Sequence, residues 1–207
     1  GKGFQNDETG AWDMGLADLL LLYEQEGFGC LYHCYYQRGD ETRYWESGNP
    51  MYDESLIKEN FIRGLRDMER YGFLNYKHWI TPYGVNDDFI RNLAKRHGME
   101  SLMTMSGATS NNSFISIAGN CDRYNIPRIS VSSQSNQDRT KRLIDGCVAD
   151  NGWVVIVTHA NTWGSGTDVD EKVSDIIQYA LDSGMEVKAF PEAFETYRAS
   201  FYFNELF

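Results

Sequence analysis

The strongest constraint on the fold is a regular alternation of helix-period segments with short apolar runs along the chain. The spacing of apolar residues predicts helices over 14–26, 53–72, 86–98, 138–149 and 169–182, and a short helix after Pro191. Strands are predicted over 28–33, 76–81, 101–105, 126–132, 153–158 and 186–190. Apolar strands separated by helices indicate a parallel sheet covered on both faces, so the predicted fold class is α/β.

The alternation begins with a helix, although a βα unit should begin with a strand. Residues 1–13 before that helix are polar and glycine-rich, and they do not resemble a buried strand. No internal repeat and no Pro/Ser linker divides the chain. We therefore expect a single domain over 1–207 that lacks its first strand.

The charge balance bears on the partners that the chain can bind. It has 19 Lys and Arg against 30 Asp and Glu, which gives a net charge of −11. Phosphate binding needs the opposite sign, so we expect no nucleic-acid partner. No apolar run approaches the about 20 residues that a membrane-spanning helix needs, so no membrane span is expected.

The four histidines differ in their predicted positions. His33 and His159 end predicted strands, and reactive side chains of parallel α/β folds gather at the carboxyl ends of strands. His78 lies inside a strand, and His97 lies in the last turn of a helix, where the helix dipole stabilises an imidazolium. Position alone leaves two possibilities for His33 and His159, a functional role or a hydrogen-bonded structural one.

Several motifs follow one another in an informative order. The segment 28–33 ends in His33, the turn Pro82-Tyr83-Gly84 follows the next strand, and the later strands 126–130 and 151–159 include Arg128 and end in His159. This order and spacing resemble the NodB-like polysaccharide deacetylases of carbohydrate esterase family 4. The resemblance covers about residues 14–197.

The resemblance implies a distorted or incomplete (β/α) barrel that hydrolyses N- or O-acetyl groups of a glycan, such as an acetylated polysaccharide or a peptidoglycan-like polymer. It also favours an extracytoplasmic or secreted protein. Family members hold zinc or another divalent metal with one Asp and two His. His33 matches the first of these histidines, and Gln37 stands at the position of the second. The resemblance makes the backbone N–H of Tyr83 an oxyanion donor and His159 the general acid.

Substrate contacts are expected from the same turn and from nearby aromatic side chains. Pro82 and Gly84 flank the oxyanion donor, while Tyr36, Trp45 and Trp163 follow predicted strand ends. Sugars stack on exposed aromatic rings, so these residues are candidates for a glycan platform. The alternative is that each ring packs beneath its own long loop.

The chain departs from the family pattern in its metal site. The Asp-Asp motif that ends the first strand of family members is absent, and the flanks of Asp7 and Asp13 are not strand-like. Gln37 replaces an imidazole, and an amide oxygen is a poor zinc ligand beside imidazole. We therefore expect zinc to bind weakly or not at all. Two interpretations stay open, a glycan deacetylase and a metal-poor relative that acts as a glycan-binding module.

Overall fold

The computed structural model describes residues 31–33, 45, 48–73, 76–105, 115–116, 122–131, 134–157 and 168–198. Its strands are β1 (His78–Ile80), β2 (Ser101–Met105), β3 (Ile115–Ser116), β4 (Ile126–Ser130), β5 (Gly152–Trp153) and β6 (Val155–Val157). Its helices are α1 (Glu54–Arg70), α2 (Asp88–Arg96), α3 (Gln134–Asp150), α4 (Asp168–Asp182) and α5 (Phe190–Thr196). Within these ranges, none of the helices has the length and apolar character to cross a bilayer.

The main sheet is parallel and contains four strands in the order β1-β2-β4-β6, which is also their order along the chain. Tyr32 forms an isolated parallel bridge with Trp79, so residues 31–33 run beside β1. A doubly wound sheet reverses its strand order partway, whereas a barrel adds strands in chain order. Here the sheet curls into a half-barrel. The predicted α/β fold with a partial barrel is thus confirmed at this level.

Carboxylate caps begin helices α1 and α2. Asp53 accepts hydrogen bonds from the N–H groups of Ser55 and Leu56 at 2.8 and 3.1 Å. Asp87 accepts one from Ile90 at 2.9 Å. Asp53 is thus the first residue of the helix predicted over 53–72, whereas the cap of α2 lies one residue after Asn86, where the prediction began that helix. A carboxylate complements the positive end of the helix better than a neutral amide.

Two expected features of the later chain differ in the structure. Trp153 lies in β5, which pairs antiparallel with β3, so the strand predicted over 153–158 is divided. The strand predicted over 186–190 is wrong, because residues 185–189 are neither helix nor strand and α5 begins at Phe190. Lys188 forms ion pairs with Glu186 and Glu192 at 3.0 and 2.8 Å, which tie this segment to α5.

Alternating residues of the sheet contribute to different apolar clusters. The first cluster joins the sheet to α1 and α2, the second lies on the opposite face and includes α5, and the third joins the sheet to α3 and α4. Leu102 belongs to the first and Met103 to the second, as expected for neighbours on a strand. The second cluster, with Ile126 and Phe194, therefore fills the interior of the half-barrel.

Candidate functional site

The candidate site lies at the edge of the sheet where the parallel strands end, which we call the rim. His33 has an exposed side chain, and its Nδ1 lies 2.6 Å from the carbonyl oxygen of Ile80, the last residue of β1. The indole Nε1 of Trp79 donates a hydrogen bond of 2.9 Å to the carbonyl of His33. Both the ring and the backbone of His33 are thus fixed to β1.

The contact with Ile80 determines which nitrogen of His33 carries a proton. A carbonyl oxygen only accepts, so Nδ1 must be the donor. In the neutral ring Nε2 then holds the lone pair. Histidines that bind metals usually donate their other ring N–H to a carbonyl or carboxylate in this way. His33 is therefore prepared to act as a ligand or a base through Nε2.

Packing against α1 positions the short segment that carries His33. The side chain of Tyr32 is buried and contacts the rings of Phe61 and Trp79 at centroid distances of 5.5 and 6.0 Å. Its hydroxyl donates to the carbonyl of Asn60 at 3.2 Å. Gly64 leaves room for this ring, since a Cβ there would lie 2.4 Å from Tyr32 Cε2. An apolar anchor thus holds the segment in place.

The turn Pro82–Gly84 follows β1 directly and lies at the same rim. Tyr83 has φ 55° and ψ 8°, a left-handed conformation, and Gly84 follows with φ 70°. Left-handed backbone costs a non-glycine residue about 1–2 kcal/mol. The N–H groups of Gly84 and Val85 close the turn by donating to Thr81 and Pro82 at 3.1 and 3.2 Å. Strained backbone of this kind is enriched at functional sites.

Polar contacts support both ends of the turn. Thr81 is fully buried, and its hydroxyl donates to the carbonyl of Met103 at 3.2 Å. After the turn, Asn86 Nδ2 donates to Asn125 Oδ1 at 2.8 Å, and the hydroxyl of Tyr52 donates to Asp87 at 2.7 Å. The turn is therefore held rigidly, as a preorganised hydrogen-bond donor requires.

Of the other predicted site residues, only Trp45 lies among the described residues. Its side chain has no exposed surface, and its ring makes an edge contact with Trp79 at 6.0 Å. A sugar needs an exposed face, so we leave Trp45 out of the proposed site. Tyr36, Gln37, His159 and Trp163 lie outside the described residues. The strand leading to His159, β6, is parallel to β1 and ends at the rim.

Arg128 is a buried charge to which the sequence analysis gave no role. It lies on β4, two residues after Ile126 and hence on the same, interior face of the half-barrel. Burial lowers the pKa of its guanidinium to about 10, so it stays protonated at neutral pH. A single arginine within an apolar strand is the signal that could have identified it.

The described part of the chain contains no group of three or more His, Cys, Asp or Glu side chains arranged to hold a metal ion. His33 fits one position of such a site by its exposure and its Nδ1 hydrogen bond. Gln37 and the remaining acidic candidates, Asp7 and Asp13, are not among the residues that the structure describes.

We compared the chain with family models, with curated proteins and with solved structures, and none of them matches it.

Proposed function

We propose that the protein hydrolyses acetyl groups from a glycan, as the polysaccharide deacetylases that its motifs resemble do. The observation that carries the proposal is that His33 and the strained Pro82–Gly84 turn both lie at the carboxyl end of β1. His33 supplies a ring nitrogen with a lone pair, and the turn supplies a rigid backbone amide at the same edge of the sheet. Hydrolysis of an acetyl group needs both kinds of group.

In this proposal each residue acts on a different part of the reacting group. The N–H of Tyr83 donates to the carbonyl oxygen as it becomes an oxyanion. His159 protonates the departing amine or alkoxide. His33 would hold a divalent metal, with Gln37 as a weaker second ligand. When bound, such an ion supplies Lewis acidity and a water of lowered pKa.

The second candidate function is that of a glycan-binding module without catalysis. The amide of Gln37 at a ligand position favours it, because an amide oxygen is a poor zinc ligand beside imidazole. A module would keep the rim as a binding surface but would not need His159 as an acid.

Acetate release separates the two functions. We expect release from N-acetylated chito-oligosaccharides or O-acetylated xylo-oligosaccharides when zinc is added, and much less without it. Replacement His159→Ala should lower the rate by about 10²- to 10⁴-fold, the usual contribution of a general acid. Binding of these sugars without any release, with or without zinc, would contradict hydrolysis and support the module.

A second prediction concerns the side chain of Tyr83, which is 48% exposed. Replacement Tyr83→Gly retains the backbone N–H and removes the cost of the left-handed conformation. We expect the free energy of unfolding to rise by about 1 kcal/mol and acetate release to stay within a few-fold of the wild type. Urea denaturation and the acetate assay measure the two effects. A large loss of release without loss of stability would show that the phenol ring itself acts on the substrate.

A further inference from the structure

A buried histidine lies at the opposite end of the half-barrel from the rim, at the edge where β1 and β2 begin, which we call the floor. His78 is 5% exposed, and its Nδ1 is 3.0 Å from the hydroxyl oxygen of Ser101. Its ring contacts Phe190 and Phe194 of α5, with centroids 5.2 and 4.8 Å apart. The proposed hydrolysis makes no use of this residue.

The surroundings of His78 disfavour a charged imidazolium. Burial, and to a smaller extent the positive charge of Arg198 just after α5, together lower its pKa from 6.5 to about 4. The other charged groups nearby are Glu100, which pairs with Arg198 at 3.7 Å, and Glu195, which pairs with Arg198 at 3.1 Å. The backbone of Lys77 bonds to that of Glu100. Both carboxylates are thus engaged with the arginine.

Helix α5 is short, and it packs on the sheet through one face, where Ala193 and Phe194 are buried. The helix has seven residues, and residues 185–189 before it belong to no helix or strand. A cavity of about 690 Å³ lies beside it, lined by Phe190, Ala193 and Tyr197 together with Trp153 of β5 and Val155 of β6. A short helix with open space on one side can leave its position at lower cost than a helix packed on every side.

We propose that α5 is an acid-released cover of the floor and that protonation of His78 is the trigger. At neutral pH the uncharged ring packs between the two phenylalanines and α5 stays in place. A proton on the ring would put a second positive charge beside Arg198 in an apolar contact. Moving α5 into the adjacent space hydrates the ring and exposes the interior cluster around Met103 and Ile126.

Proton linkage determines the direction in which pH shifts the position of α5. The imidazole of His78 has its ordinary pKa of 6.5 when α5 is displaced, but its pKa is about 4 when α5 covers it. Acid therefore favours the displaced form, by about tenfold in the equilibrium for each pH unit between these values. Above pH 6.5 the effect vanishes.

Hydrogen exchange of the 207-residue chain between pH 7.5 and 4.5 tests this proposal, with rates corrected for intrinsic pH dependence. We expect the protection of residues 190–197 to fall at least tenfold while that of α2 stays within a few-fold. In His78→Gln, which keeps hydrogen bonding without titrating, α5 should stay protected. The matched control His97→Gln, at an exposed histidine after α2, should behave as wild type.

Two results would overturn the proposal. One is loss of protection in α2 and α5 at the same pH, which indicates global unfolding. The other is an unchanged acid response in His78→Gln. Should that variant fail to fold, NMR titration of wild-type His78 decides instead: we expect it to titrate together with the α5 resonances, and titration near pH 6.5 with α5 unmoved would refute the trigger.

Discussion

Replacement of His33 by alanine is expected to lower acetate release by on the order of 100-fold or more when zinc is added. Loss of a residue that merely orients a metal ligand typically costs 10- to 100-fold, and loss of the ligand itself should cost at least as much. The free energy of unfolding should change by less than about 1 kcal/mol, since the side chain of His33 is exposed. The kcat/KM for acetate release and a urea denaturation curve measure the two quantities.

His97→Ala is the matched control for this prediction. His97 is also exposed, but it follows the carboxyl end of α2 and takes no part in the rim. We expect the His97→Ala variant to release acetate at the rate of the wild type. Full activity of His33→Ala with saturating zinc would remove His33 from the mechanism.

The metal content of the same proteins tests the expectation of weak zinc binding. Elemental analysis of protein purified without a chelator should find zinc well below one ion per chain. Near-stoichiometric zinc that disappears in His33→Ala would contradict this expectation, and it would establish a more complete ligand set than His33 and Gln37 provide.

Replacement of Trp79 by alanine is expected to lower the free energy of unfolding by about 3–5 kcal/mol, as large-to-small changes of buried aromatic residues do. Trp79 is fully buried and contacts the rings of Tyr32, Trp45 and Phe61 at centroid distances of 6.0, 6.0 and 4.4 Å. Its indole also donates to the carbonyl of His33. The residue therefore joins the core of the protein to the candidate site.

Trp79→Phe separates these two contributions. It keeps an aromatic ring but removes the indole donor, so we expect a smaller loss of about 1–2 kcal/mol. Acetate release should fall more than this loss of stability explains, because His33 loses a backbone anchor. Leu56→Ala, at an exposed position of α1, serves as the control and should change stability by about 0.5 kcal/mol or less.

Chemical denaturation gives the stabilities, and the acetate assay gives the activities of the folded variants. A loss below about 1 kcal/mol in Trp79→Ala would show that the aromatic cluster contributes little to the fold. Equal acetate release in Trp79→Phe and wild type would show that the hydrogen bond to His33 does not position the site.

The fold class could be predicted because β1, β2 and β4 of the main sheet each carry their own local signal, whereas the two-residue strand β3 was not predicted. The apolar runs at 76–81, 101–105 and 126–132 each contain a strand of the sheet, and the acidic cap at Asp53 begins its helix. The segment 186–190 shows the limit of such signals. It has strand-like alternation, yet a strand also needs a hydrogen-bonded neighbour. Here Lys188 pairs with Glu186 and with Glu192 of α5, and Phe190 is the first residue of α5.

Some features of the candidate site could also be predicted from the sequence, and others depend on the tertiary structure. The sequence by itself determined that His33 follows a strand-like run and that Pro82-Tyr83-Gly84 forms a turn, because both depend on residues close together in the chain. Only the tertiary structure decided that the ring of His33 bonds to Ile80, which lies 47 residues away. It also decided that Trp45 is buried and that Arg128 lies inside the half-barrel. These outcomes depend on packing between distant segments, and local periodicity has no information about such contacts.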